Sequence, residues 1–177
     1  LLDKAQPQVQ WDFLFEGPGP GCTFVMKRRL ACDIQELINC RSEDVQEVGL
    51  HDWLIYAFAR VNGYQWVIDD YVGMLYRQHD ANLVGANSGF HSFVHRVLKV
   101  LSGWGLSQSA LIASLVGVDQ DPFVRRWSNG SRLDMLFLAF HAKQCRRRLR
   151  DQLIFALACV ILSVVKSPTV VRQVVSK

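Results

Sequence analysis

The chain is 177 residues long, half of them hydrophobic and a fifth charged. That is enough apolar material for one sizeable core and excludes a disordered or fibrous protein. The formal net charge of +4 is unevenly spread, because residues 122–150 hold eight basic side chains against one acidic while residues 1–121 hold nine against fourteen. A basic block of this kind suits phosphate or an acidic partner surface, and it is also what a solvated helix face looks like.

Residues 1–16 contain the apolar run Trp11-Asp12-Phe13-Leu14-Phe15, followed by Gly17-Pro18-Gly19-Pro20-Gly21. Alternating Gly and Pro sustain neither a helix nor a central strand. Segment 1–21 is thus read apart from a single helical domain over 22–177, either as a native loop or as a spacer that tethers a peptide ligand. On both readings Trp11, Phe13 and Phe15 are anchors that need a hydrophobic groove. Leu30, Ile34, Leu37 and Ile38 mark one face of a helix. Ser42-Glu43-Asp44 is read as the cap of a short helix. Leu50 to Val61 is a broadly apolar helix stopped by Asn62-Gly63, and Gln65 to Arg77 repeats the theme. Gly85 to Gly89 is a loop. Ser88 or Ser92 starts a helix that reaches Gly103. Ser131 caps a long helix from Arg132 to about Lys166, ended by Pro168. Thr169 to Val175 reads as a short strand or an extended arm. The fold class is therefore mainly α, a compact multi-helix domain with a long C-terminal helix.

The stretch Leu106 to Arg132 carries the strongest functional hint. An apolar helix reaches Gly117-Val118, and a polar turn follows. Asp121-Pro122 opens a second helix carrying Arg125, Arg126 and Trp127, and Asn129-Gly130 stops it. With Gln108, Gly117-Val118 and Trp127-Ser128-Asn129-Gly130 in that order, residues 106–132 resemble a repressor-type helix-turn-helix. The interval from Gln108 to Gly130 is about two residues longer than the compact motif. The resemblance implies duplex DNA as partner, with Arg125, Arg126 and Ser128 at the groove and Arg132, Arg146, Arg147 and Arg148 on phosphates. It also implies a homodimer, since such proteins bind paired half-sites. The plain alternative is two amphipathic helices in a bundle, with Trp127 in the core and the arginines in water.

Other chemistry is sparsely signalled. His51-Asp52 and Asp69-Asp70 bring acid–base groups together without a second ligand set at motif spacing. His91 and His95 share a helix face, as do His141 and Cys145, and the four side chains would make a tetrahedral metal site only if the helices met. No phosphate loop or nucleophile elbow is present. The five cysteines (Cys22, Cys32, Cys40, Cys145 and Cys159) form no C-x-x-C pair and are odd in number. A full disulfide set is therefore not expected, and a reducing intracellular compartment, cytoplasmic or nuclear, is. No secretory leader is recognised at the start of the sequence. Leu153 to Val165 is an apolar run of 13 residues, short of the roughly 17–25 that span a bilayer. It reads as a core helix or dimer interface, with membrane-surface insertion as a weaker rival. The sequence is expected to encode a non-enzymatic regulatory protein that binds DNA, without cofactor, metal or catalytic residues. The alternative expectation is a protein–protein interaction module or complex subunit whose groove takes an aromatic-rich segment.

Overall fold

The computed structural model describes residues 4–71 and 102–165. The helix expected near 92–103, the loop at 85–89, the terminal arm, and both His91 and His95 lie outside the described residues. Those residues form helices α1 (Asp12–Phe15), α2 (Arg28–Cys40), α3 (Ser42–Gln46), α4 (His51–Val61), α5 (Trp104–Leu115), α6 (Pro122–Ser128), α7 (Arg132–Phe140), α8 (Ala142–Cys145) and α9 (Leu149–Val165). A 3-10 turn at Gly21–Thr23 lies on the path from α1 to α2. The mainly α class and the long C-terminal helix are as the sequence indicates. No helix among the described residues is long and apolar enough to cross a membrane.

The core is assembled around α1, a helix of four residues. Trp11, Phe13, Leu14 and Phe15 are all buried, together with Tyr56, Ile112, Trp127, Leu138 and Phe155. Trp11 stacks on Phe123 with ring centroids 5.0 Å apart. Phe15 packs its ring against Trp127 and Phe155, each at 5.2 Å. Burying each such side chain stabilises the fold by about 1.5–3 kcal/mol, and α1 contributes three of them, with Trp11 at its N-cap as a fourth. The aromatic anchors thus sit in a groove, and the groove is the interior of this same chain. Backbone bonds fix them there: Trp11 N–H donates to Gln144 O at 2.8 Å. The indole of Trp53 donates to Phe13 O at 2.8 Å.

Three helix boundaries differ from expectation. The helix expected from Arg132 to Lys166 is three helices. The Nδ1 of His141 meets Phe137 O at 2.7 Å where α7 ends. Arg146 then takes extended backbone after α8 (ψ 139°). Ser131 does cap α7, in a reciprocal capping box with Asp134. Residues 65–71 are not helical. Gly63 turns the chain at φ +72°, and Trp66 then packs edge-on against Tyr56 at 5.3 Å. Ser42 lies inside α3, and its N-cap is Arg41.

Candidate functional site

A charged cluster lies at the centre of the core. Asp12 enters it from α1, where the neighbouring Trp11, Phe13 and Phe15 drag it out of water. Tyr56 and Arg60 come from one face of α4, one turn apart. The Tyr56 hydroxyl donates to Asp12 Oδ2 at 2.6 Å, and Arg60 Nη1 donates to Asp12 Oδ1 at 2.7 Å. From the far end of the chain, Arg147 donates through its backbone N–H (2.7 Å) and its Nε (3.0 Å) to Glu16 Oε1. Its Nη2 donates to Gly17 O at 2.9 Å, and its Nε lies 3.5 Å from Asp12 Oδ2. Lys4 reaches Glu16 Oε2 at 3.4 Å.

The electrostatics follow from burial and pairing. Burial by itself would raise the Glu16 pKa, but the hydrogen bonds and charge of Arg147, with Lys4 beyond, outweigh it and hold Glu16 below the usual carboxylate range. Burial, then the charge and hydrogen bond of Asp12, push the Tyr56 hydroxyl well above its ordinary value. Tyr56 therefore stays a donor. A buried carboxylate–arginine cluster adds little net stability over a well-packed apolar one, yet removing one partner strands a charge and costs about 3–5 kcal/mol. This cluster positions elements; its carboxylates are already occupied by Tyr and Arg.

Above it, α4 begins at the protein surface with His51 exposed and Asp52 partly exposed. The Gly-Pro loop crosses this first turn. A Cβ placed on Gly21 would stand 3.1 Å from Asp52 Cβ and 3.2 Å from His51 Nε2, so glycine lets the loop approach. Asp52 Oδ1 accepts the Trp53 N–H at 3.2 Å. The result is an accessible carboxylate beside an accessible imidazole, with the ionic cluster anchoring the same helix two turns below.

The predicted DNA-contacting residues scatter. Helix α5, a turn through Gly117 at φ +79°, and α6 follow one another as the sequence suggests. Asp121 caps α6 by accepting Phe123 N–H at 2.8 Å. Arg125 and Arg132 are exposed, and Arg126 lies over the Phe137 ring at 4.0 Å. Ser128 donates to Arg125 O at 3.2 Å within its own helix. Arg147 is buried in the ionic cluster, and Arg146 lies over Phe155 at 5.1 Å. Neither presents a guanidinium to phosphate, because burying the α1 carboxylates demands cations in the interior. Arg148 is half-buried. Gln108 lies in α5, the first helix of the pair, as the resemblance assigns it, and its side chain clips the α3–α4 turn. Its side chain accepts Gly49 N–H at 2.8 Å and donates to Glu47 O at 3.1 Å. No group of three His, Cys, Asp or Glu side chains suited to a metal occurs among the described residues. The expectation missed the ionic cluster, although a lone Asp12 among aromatic residues and a lone Arg60 in an apolar helix were its signals.

No family model matches the chain. No solved structure matches it. Over 164 residues, 93% of its length, the chain is 37% identical to a Shigella flexneri protein described as dTDP-rhamnosyl transferase RfbG. The match covers 56% of that protein, so the chain spans little more than half the length of this relative. This similarity to an enzyme overturns the expectation of a non-enzymatic DNA-binding regulator and of a plain protein-interaction module. The basic block at residues 122–150 is divided between the buried ion pairs of Arg147 and solvent.

Proposed function

We propose that this chain takes part in glycosyl transfer from a nucleotide-linked deoxysugar, with the His51–Asp52 edge as the reacting surface. The observation that carries the reading is the 37% identity to a dTDP-rhamnosyl transferase over nearly the whole chain. Such a transfer breaks the bond between the sugar carbon and the phosphate oxygen and forms one to an acceptor hydroxyl. The nucleoside diphosphate leaves, and the acceptor proton must pass to a base. Several described carboxylates are engaged elsewhere. Asp12 and Glu16 are buried, Asp33 accepts from Tyr64, Asp44 pairs with Arg41, and Asp121 and Asp134 cap helices. Asp52 is accessible, adjoins His51 and sits on a helix braced by the core, which keeps a reacting group in place. We assign Asp52 as the base and His51 as a group that contacts acceptor or donor.

The test is a chimera. The relative's matching segment is replaced by this chain, and release of dTDP from dTDP-rhamnose is measured with and without acceptor. Transfer by the chimera, reduced about 10²–10⁴-fold by Asp52→Asn with an unchanged thermal midpoint, supports the reading. A folded chimera that releases no dTDP overturns it. An active chimera indifferent to Asp52→Asn retains the function and removes the assignment of the base.

A further inference from the structure

The loop from Gly17 to Thr23 runs along the first turn of α4. A Cβ on Gly17 would stand 4.0 Å from Trp53 Cβ, and one on Gly21 would stand 3.2 Å from His51 Nε2 and 3.7 Å from His51 Cδ2. The loop therefore backs that edge of the imidazole. Gly21 is not among the glycines with positive φ. Its missing side chain is thus demanded by this contact and not by the backbone conformation.

The loop is tied down on both sides of the contact. Buried Arg147 donates from Nη2 to Gly17 O at 2.9 Å. The Thr23 N–H and hydroxyl both donate to Pro20 O, at 3.0 and 2.7 Å, and Phe24 N–H donates to Gly21 O at 3.1 Å. Phe24 then sets its ring edge-on against Trp66, with centroids 5.0 Å apart. An exposed side chain at a helix start has several rotamers open to it, and a loop fixed against its ring leaves fewer.

We infer that Gly21 is a positioning residue for the His51–Asp52 edge: the loop, held by Arg147 and Phe24, sets the imidazole in one orientation for the transfer. The inference rests on the reading of that edge as the reacting surface. It gives the C-terminal helices a part in the site, because the guanidinium that anchors the loop belongs to residue 147. Misplacing a reacting group by about 1 Å costs up to about a hundredfold in rate.

The test has two readouts. In the whole chain, the imidazole NMR signals of His51, identified by their loss in His51→Ala, are expected to move in Gly21→Ala while those of His141 stay. In the chimera with the relative, Gly21→Ala is expected to lower kcat about tenfold or more, with KM within about twofold and the thermal midpoint unchanged. It costs nothing further once His51 is alanine, since both changes act through one ring. Thr23→Val is an exposed substitution that keeps the side chain's shape and removes the hydroxyl tie to Pro20, so its folding is secure; it moves the same signals and lowers kcat about threefold. His51 signals that stay in place in both variants overturn the inference. Signals that move with no change in kcat overturn it too, as does a full further loss in the His51→Ala background. A parent chimera that releases no dTDP overturns the reading of the edge and the positioning role with it, and leaves only the contact that the NMR signals report.

Discussion

The hydroxyl of Tyr56 lies 2.6 Å from Asp12 Oδ2, and both residues are wholly buried although 44 positions separate them. This contact joins α1 to α4 and makes one rigid body of the helix that carries His51 and Asp52. Tyr56→Phe leaves Asp12 with Arg60 and costs about 1–3 kcal/mol in urea unfolding. Asp12→Ala also strands the Arg60 charge, while Arg147 keeps Glu16, and costs about 3–5 kcal/mol. Equal losses for the two variants would show that Arg60 finds another partner.

Acid acts through Glu16. Its folded pKa is lowered from an ordinary value of 4.5. The stabilisation it provides is therefore complete above that value and is lost as pH falls through the lower folded pKa. Urea midpoints measured from pH 7 to pH 3 fall below pH 4.5 in the parent. In Glu16→Gln they start lower and fall less steeply. Parallel curves would place the acid sensitivity at another carboxylate.

The buried tryptophans Trp53 and Trp127 respond differently to phenylalanine. Trp53 loses a donor and leaves Phe13 O unpaired. Trp127 loses an indole N–H that has no acceptor among the described residues. Trp53→Phe is expected to cost about 1–2 kcal/mol more than Trp127→Phe, read from denaturant midpoints at constant m-value.

Gly49→Ala tests the turn before α4. The added Cβ would stand 2.6 Å from Trp104 Cζ2, too close for any carbon, so the ring or the turn must move. Overpacking of this kind costs about 1–3 kcal/mol. Gly63→Ala meets no side chain, but its positive φ gives it a separate, backbone penalty.

Thiol labelling divides the cysteines. Cys22, Cys32 and Cys40 are exposed, whereas Cys145 and Cys159 are buried. Burial raises the Cys145 thiol well above its ordinary value and pushes Cys159 up to about 12. Three thiols per chain react promptly with an aromatic disulfide at pH 8, and the last two react only with unfolding. A fourth prompt thiol would show that α8 or the first turns of α9 open in the native state.

Periodicity made α2 and α4 legible, because each has an apolar face and a plain stop such as Asn62-Gly63. The cap of α6 was legible too, since Asp121-Pro122 states a helix start in local chemistry. The break of the expected C-terminal helix was not, because no Pro or Gly marks residues 141–148; long-range bonds from Trp11 and Glu16 to Gln144 and Arg147 fix that bend. The same bonds explain why Arg147 looked like a surface cation. Charge count along the sequence cannot show that a carboxylate 131 positions away will meet it. The proposed reacting edge was visible only as the pair His51-Asp52, and its accessibility depends on tertiary packing.

The bond between Glu16 and Arg147 also orders events in time. A ribosome adding about 5–20 residues per second releases Arg147 some ten seconds after Glu16, since 131 positions lie between them. Until that interval ends the aromatic turn at residues 11–15 lacks α9, whose Phe155 packs against Phe15. Nascent chains of this protein therefore pass through a stage in which Trp11, Phe13 and Phe15 are incompletely enclosed. A chaperone that recognises short aromatic segments should bind stalled chains ending before Arg147 and release those extending beyond α9.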